Sequence, residues 1–166
     1  MKLEKAFEHL RTLDIELYSL NYHRTMFDFH FYNYWGIYVG DIFSSPATRD
    51  TEAIDLIKHL CPNGMPQSLI FDGILEALMG IIAHTKGITP LETLAAQEAL
   101  MGYKQEQYGD AVLNPTLYCL SKDEIPIVVK GLINNKINRL IHQSDDEDSL
   151  VDLFGYLIFW WCLQQH

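Results

Sequence analysis

Two short runs near the C-terminal end carry charge into apolar surroundings. Lys136 and Arg139 belong to KINRL (136–140), and Asp148 and Asp152 belong to DSLVDLFGY (148–156). At three and four residues apart, the members of each pair share one face of a helix. Two cations can neutralise a phosphate, and two carboxylates one turn apart can hold part of a divalent cation's shell. The same four residues can also pair with one another, Asp152 with Arg139, while Asp148 complements a helix N-terminus. An unpaired buried carboxylate costs several kcal/mol, so these acids need a cation, hydrogen bonds or water nearby. Upstream, Lys104, Tyr108 and Asp110 form K-x-x-x-Y-G-D, and Glu98 is an acid on the stripe of Leu91, Leu94, Ala95 and Met101.

The elements that must position these groups are helices. Ser121 with Glu124 and Ser144 with Glu147 fit the S-x-x-E capping box, and Thr89-Pro90-Leu91-Glu92 joins a cap to a proline at the first helical position. Between these signals the apolar spacing predicts one helix from Pro66 to Lys86, one from Pro90 to about Gln107, and two more opened by the boxes at Ser121 and Ser144, which carry KINRL and DSLVDLFGY. On the third, Val129, Leu132, Lys136 and Arg139 follow one stripe, which turns both cations inward or toward a pocket mouth. On the fourth, Asp148, Asp152, Gly155, Tyr156 and Phe159 share a stripe, with Leu150, Leu153, Leu157 and Trp161 around the rest. The segment 66–86 turns Ile70, Ile74, Ala77, Leu78, Ile81 and Ile82 inward and carries Asp72 and Glu76 one turn apart. Gly109 can take the left-handed backbone angle that ends a helix, and a longer loop runs from Tyr108 to Leu120.

The N-terminal part is less uniform. Leu3, Phe7, Leu10, Leu13 and Leu17 predict an opening amphipathic helix, and Ala53 to Leu60 a short one stopped by Pro62-Asn63-Gly64. The aromatic stretch Met26 to Phe43 alternates like a strand in FDFHF yet would also suit a buried helix. The expectation is one domain: residues 1–64 as a helical and aromatic extension, and residues 66–165 as an all-α helical bundle.

Composition narrows the function. The chain has 166 residues, 48% of them hydrophobic, and a formal net charge of −10. That charge opposes extended contact with a nucleic-acid backbone, whereas one small phosphate needs only two or three local cations. Cys61, Cys119 and Cys162 lack paired spacing, which points to a reducing, cytoplasmic setting, and Cys119 and Cys162 read as buried apolar fillers. MKLEKAFEHL does not read as a signal peptide, and the longest apolar run, Leu153 to Leu163, is about half of a membrane span. His23, Asp28 and His30 are a weak metal candidate, since they have no defined ligand spacing.

K-x-x-x-Y-G-D, then K-x-x-R, then D-S-x-x-D-x-x-x-Y resembles the phage and bacterial nucleotide-modification-associated domain family, a relative of the all-α MazG-like nucleotide pyrophosphohydrolases. The resemblance rests on Lys104, Tyr108, Gly109, Asp110, Lys136, Arg139, Asp148, Ser149, Asp152 and Tyr156, and spans about residues 90–165. It implies a helical bundle, a nucleotide ligand, Mg²⁺ on paired acids, a homo-oligomer and a phage or host cytoplasm. Asp152 matches the last acid of the E-x-x-D motif. Ser149 stands where its glutamate would be, and Lys136 and Arg139 stand where another acid pair would be.

Three readings follow. In the first, Mg²⁺ on Asp148 and Asp152 assists hydrolysis of a nucleotide phosphoanhydride, with Glu98 activating water; Lys136 and Arg139 neutralise charge, and Lys104 and Asp110 orient the substrate. In the second, the same cations, with Tyr108 and Tyr156 for stacking, bind a nucleotide that is sequestered or sensed without cleavage. In the third, the charges form an ion-pair network in a structural or interaction protein. Converging carboxylates would favour the first, cations at a cavity without them the second, and a filled core the third.

Overall fold

α1 (Lys2–Thr12) buries Leu3, Phe7 and Leu10 on one face, as its apolar spacing requires. The remaining helices are α2 (Ser68–Lys86), α3 (Pro90–Tyr108), α4 (Ile125–Ile141) and α5 (Ser149–Gln164). The computed structural model describes residues 2–13, 68–142 and 149–165. Among these the architecture is an all-α bundle of five helices with no strand. The aromatic stretch 26–43, the short helix expected over 53–60, the His23, Asp28 and His30 group, and the acidic turn with Ser144, Glu147 and Asp148 lie outside the described residues.

Local chemistry sets the helix starts. Thr89 has extended backbone and its hydroxyl oxygen accepts from the Glu92 amide at 3.1 Å, while Pro90 begins α3. The Ser121 amide donates to the Glu124 carboxylate at 2.8 Å, starting a single 3₁₀ turn (Lys122–Glu124) that feeds directly into α4. α3 ends at Gly109, whose φ of 69° and ψ of −169° lie outside the left-handed helical region, in a corner of backbone space that is open essentially to glycine alone. The left-handed cap expected at Gly109 is not formed: φ is positive, but ψ leads the chain out of α3 extended and not curled back.

α5 is the axis of the bundle. Leu150, Leu153, Phe154, Leu157, Ile158, Trp160 and Cys162 are buried around its circumference, and it packs against each of the other four helices. A helix apolar on all sides is stable in water only when surrounded. α2 supplies Ile74, Leu75, Leu78, Met79, Ile81 and Ile82 to the same core, and α4 supplies Val129, Ile133 and Leu140. His9 of α1 ties three elements together: its Nε2 lies 2.9 Å from the Asp72 carboxylate on α2, and its ring stacks on Trp161 of α5 at 4.9 Å. No described helix is long and apolar enough to cross a membrane.

Leu153→Ala, at a side chain with no exposure, is expected to lower unfolding free energy by ~2–5 kcal/mol in urea denaturation. Ile127→Ala, at an exposed position of α4, is expected to change it by less than ~0.5 kcal/mol.

Candidate functional site

The stripe Asp152, Gly155, Tyr156 and Phe159 on α5 faces Gln97, Met101, Lys104 and Tyr108 on α3, and the Gly109–Val112 segment closes one end. Between them lies a cleft of about 210 Å³. That is below the ~300–1,000 Å³ of pockets that enclose a whole drug-sized molecule, so it takes one ring or headgroup and leaves the rest of a ligand outside. Its walls are mainly aliphatic and aromatic, with a few polar groups at fixed places.

Asp152 is the electrostatic centre. Its Oδ2 lies 3.0 Å from the Lys136 ammonium on α4 and its Oδ1 accepts from the Lys104 ammonium on α3 at 3.4 Å. The two lysines differ in surroundings: the Lys136 side chain is 9% exposed and Lys104 51%, with Asp152 at 14%. Burial of both groups makes the Lys136–Asp152 pair costly to disturb. The longer contact to Lys104 at the surface is weak and screened. One carboxylate thus holds α3, α4 and α5 at a single point.

Asp110 is engaged within its own turn, its two oxygens accepting from the Leu113 amide at 3.4 Å and the Asn114 side-chain amide at 2.6 Å. It lines the cleft while shaping the loop that follows Gly109. Of the sequence-predicted residues, Lys104, Tyr108, Asp110, Asp152 and Tyr156 meet in the cleft lining, and Lys136 backs it through Asp152.

Two expectations change. Asp152 meets Lys136 at 3.0 Å and Lys104 at 3.4 Å: Lys136 shares the buried stripe of Val129, Ile133 and Leu140, whereas the expected partner Arg139 is half-buried and is not among the residues lining the cleft. Glu98 is not brought to the cleft. It lies in a separate groove between α1 and α3, where Arg11 donates to it at 2.6 Å with both side chains about half exposed. The buried stripe of α3 is Pro90, Thr93, Leu94, Gln97 and Met101, so Leu91 and Ala95 face outward and Glu98 sits at the flank.

That rotation of α3 brings in a residue the sequence reading passed over. Gln97 is buried, and its Nε2 donates to the Val151 carbonyl of α5 at 3.5 Å. A Cβ on Gly155 would come within 2.9 Å of that nitrogen, so the glycine is the notch in which the amide sits. The available signal was a polar side chain flanked by Thr93, Leu94 and Met101 at helical spacing. Cys162 is buried as expected, but Cys119 is exposed in the loop before α4, where no helix covers it.

Asp148 and Asp152 are the ligands that the sequence offers for Mg²⁺. Both oxygens of Asp152 face ammonium groups, which leaves a site of cationic surroundings, and no group of three or more His, Cys, Asp or Glu among the described residues could hold a metal ion. Asp148, the other expected ligand, lies outside the described residues. Comparison of the chain with models of known families, with curated proteins and with solved structures finds no match.

Removing the buried anion is expected to be far more damaging than removing its surface partner. Asp152→Ala should cost ~3–5 kcal/mol by removing the carboxylate 3.0 Å from the buried Lys136 ammonium, whereas Lys104→Met should cost less than ~1 kcal/mol, both read from denaturant midpoints. Gly109→Ala is expected to destabilise by ~1–3 kcal/mol through backbone strain alone, since a Cβ there meets no atom within 4 Å.

Proposed function

We propose that the cleft binds a nucleotide without cleaving it, the base entering between Tyr108, Tyr156 and Phe159 and the phosphate resting at the rim on Lys104. The observation that carries this reading is the division of Asp152 between two lysines of unequal burial. Lys136 keeps the carboxylate neutralised whether or not a ligand is bound. Lys104 is therefore free to exchange: a phosphate that takes it from Asp152 gains a charge-assisted hydrogen bond and leaves no buried charge unpaired. The rings supply stacking area and the aliphatic wall excludes water from the base.

The cytoplasmic homo-oligomer expected from the sequence is the setting of this proposal. The resemblance of residues 90–165 to MazG-like enzymes supports a second reading, hydrolysis of a phosphoanhydride, which requires carboxylates beyond Asp152.

Titration calorimetry against nucleoside mono-, di-, tri- and cyclic phosphates, with and without Mg²⁺ and with chromatography of each mixture afterwards, separates these. Binding with the ligand recovered intact is expected, weakened about tenfold or more in Lys104→Met at an unchanged thermal midpoint, the loss due to one charged hydrogen bond. Lys104 is the informative variant because Asp152→Ala confounds binding with folding. Metal-dependent release of pyrophosphate would replace binding with hydrolysis, and no heat with any nucleotide would sink both.

A further inference from the structure

The cleft offers a ligand one cation and no surplus of positive charge. Among the described residues that line it, Lys104 is the cation and Asp110 and Asp152 are the carboxylates. Behind the lining, the Lys136 ammonium stands 3.0 Å from Asp152. These four groups sum to zero, so a phosphate that draws Lys104 away from Asp152 finds one positive partner and no field beyond it to hold further negative charge. The hydrogen bonds of Asp110 come from the Leu113 amide and the Asn114 side chain, neutral donors that orient a carboxylate without cancelling its charge. The background is the formal −10 of the whole chain, which repels anions.

From this balance, and resting on the nucleotide reading above, we infer that the cleft favours a nucleotide whose phosphate is a singly charged diester over one with a terminal mono-, di- or triphosphate. A diester carries one negative charge, which a single lysine matches. A terminal phosphate carries about −1.5 to −2 at pH 7, and each further phosphoryl group adds about one more. The cleft of about 210 Å³ is about 6 Å across, so a phosphate at its rim beside Lys104 lies within the screening length, about 8 Å at physiological salt, of Asp110. With a net −10 spread over a molecule of this size and no local surplus of cations to offset it, each added negative charge weakens binding about two- to threefold. The roughly three charges between a diester and a triphosphate therefore amount to about tenfold.

The test is titration of the full chain, in EDTA so that no metal ion alters ligand charge, with the 3′,5′-cyclic monophosphate, the methyl ester of the 5′-monophosphate, the 5′-monophosphate and the 5′-triphosphate of adenosine, guanosine, cytidine and uridine. For the base that binds most tightly, both diesters are expected to bind about tenfold more tightly than the triphosphate, with the monophosphate between them. Raising the salt to about 1 M, where the screening length is about 3 Å, should narrow that gap. Asp110→Asn keeps an oxygen for the Leu113 amide and should also narrow it, because losing one negative charge helps the triphosphate more than the diesters. If Asp110→Asn fails to fold, the ligand and salt series carry the test unaided. A triphosphate bound as tightly as the diesters would overturn the single-charge assignment while leaving nucleotide binding intact. So would a methyl ester as weak as the triphosphate beside a tightly bound cyclic monophosphate, which would assign the preference to the ring. Absence of binding by every compound would overturn both.

Discussion

The arrangement of α3, α4 and α5 depends on how the charge of Asp152 is neutralised. A carboxylate on the helix that forms the axis of an apolar bundle is tolerable only if cations come to it, and they come from two directions, Lys136 from α4 and Lys104 from α3. The buried pair specifies which face of α4 meets α5, because any rotation that turned Lys136 to solvent would strand Asp152. The exposed contact is replaceable, and that inequality distinguishes a group that holds the bundle from one that can change partners.

Around that point, packing determines the cleft. α5 is apolar on every side and is enclosed by the other four helices, yet Gly155 interrupts its surface on the side of α3. There Gln97 enters the notch and meets helix backbone, and beyond it Met101, Lys104 and Tyr108 line one side of the opening and Tyr156 and Phe159 the other. The backbone of Gly109, extended with positive φ, carries the chain across one end of the cleft, and Asp110 pins the turn that follows. On the opposite side, His9 links Asp72 to Trp161, so α1 and α2 hold α5 from behind.

Much of this was legible in the residues. The four helices after residue 66 follow from caps at Thr89 and Ser121 and from apolar spacing, because those signals act through local hydrogen bonds and a fixed helical period. So does the stripe of Asp152, Gly155, Tyr156 and Phe159, since a helix dictates which of its own residues share a face. Position in sequence also sufficed to mark Lys136 as an inward cation.

What the sequence could not determine was which face met which. α3 has leucine and alanine on more than one side, so its own pattern fitted a stripe through Leu91 and Ala95 as well as the one through Thr93 and Gln97. The notch at Gly155 and the reach of Lys104 to Asp152 selected the latter, and with it sent Glu98 to Arg11 and brought Gln97 into the cleft. Likewise the sequence pointed to Arg139 for Asp152, and it was the packing of α4 with Val129, Ile133 and Leu140 inward that brought Lys136 to 3.0 Å from it. The helices and the residues sharing each face follow from local order along the chain, because both are fixed within one helix. The pairings and the cleft arise in packing, because each depends on the relative rotation of two helices, which is set by contacts between residues far apart in the chain.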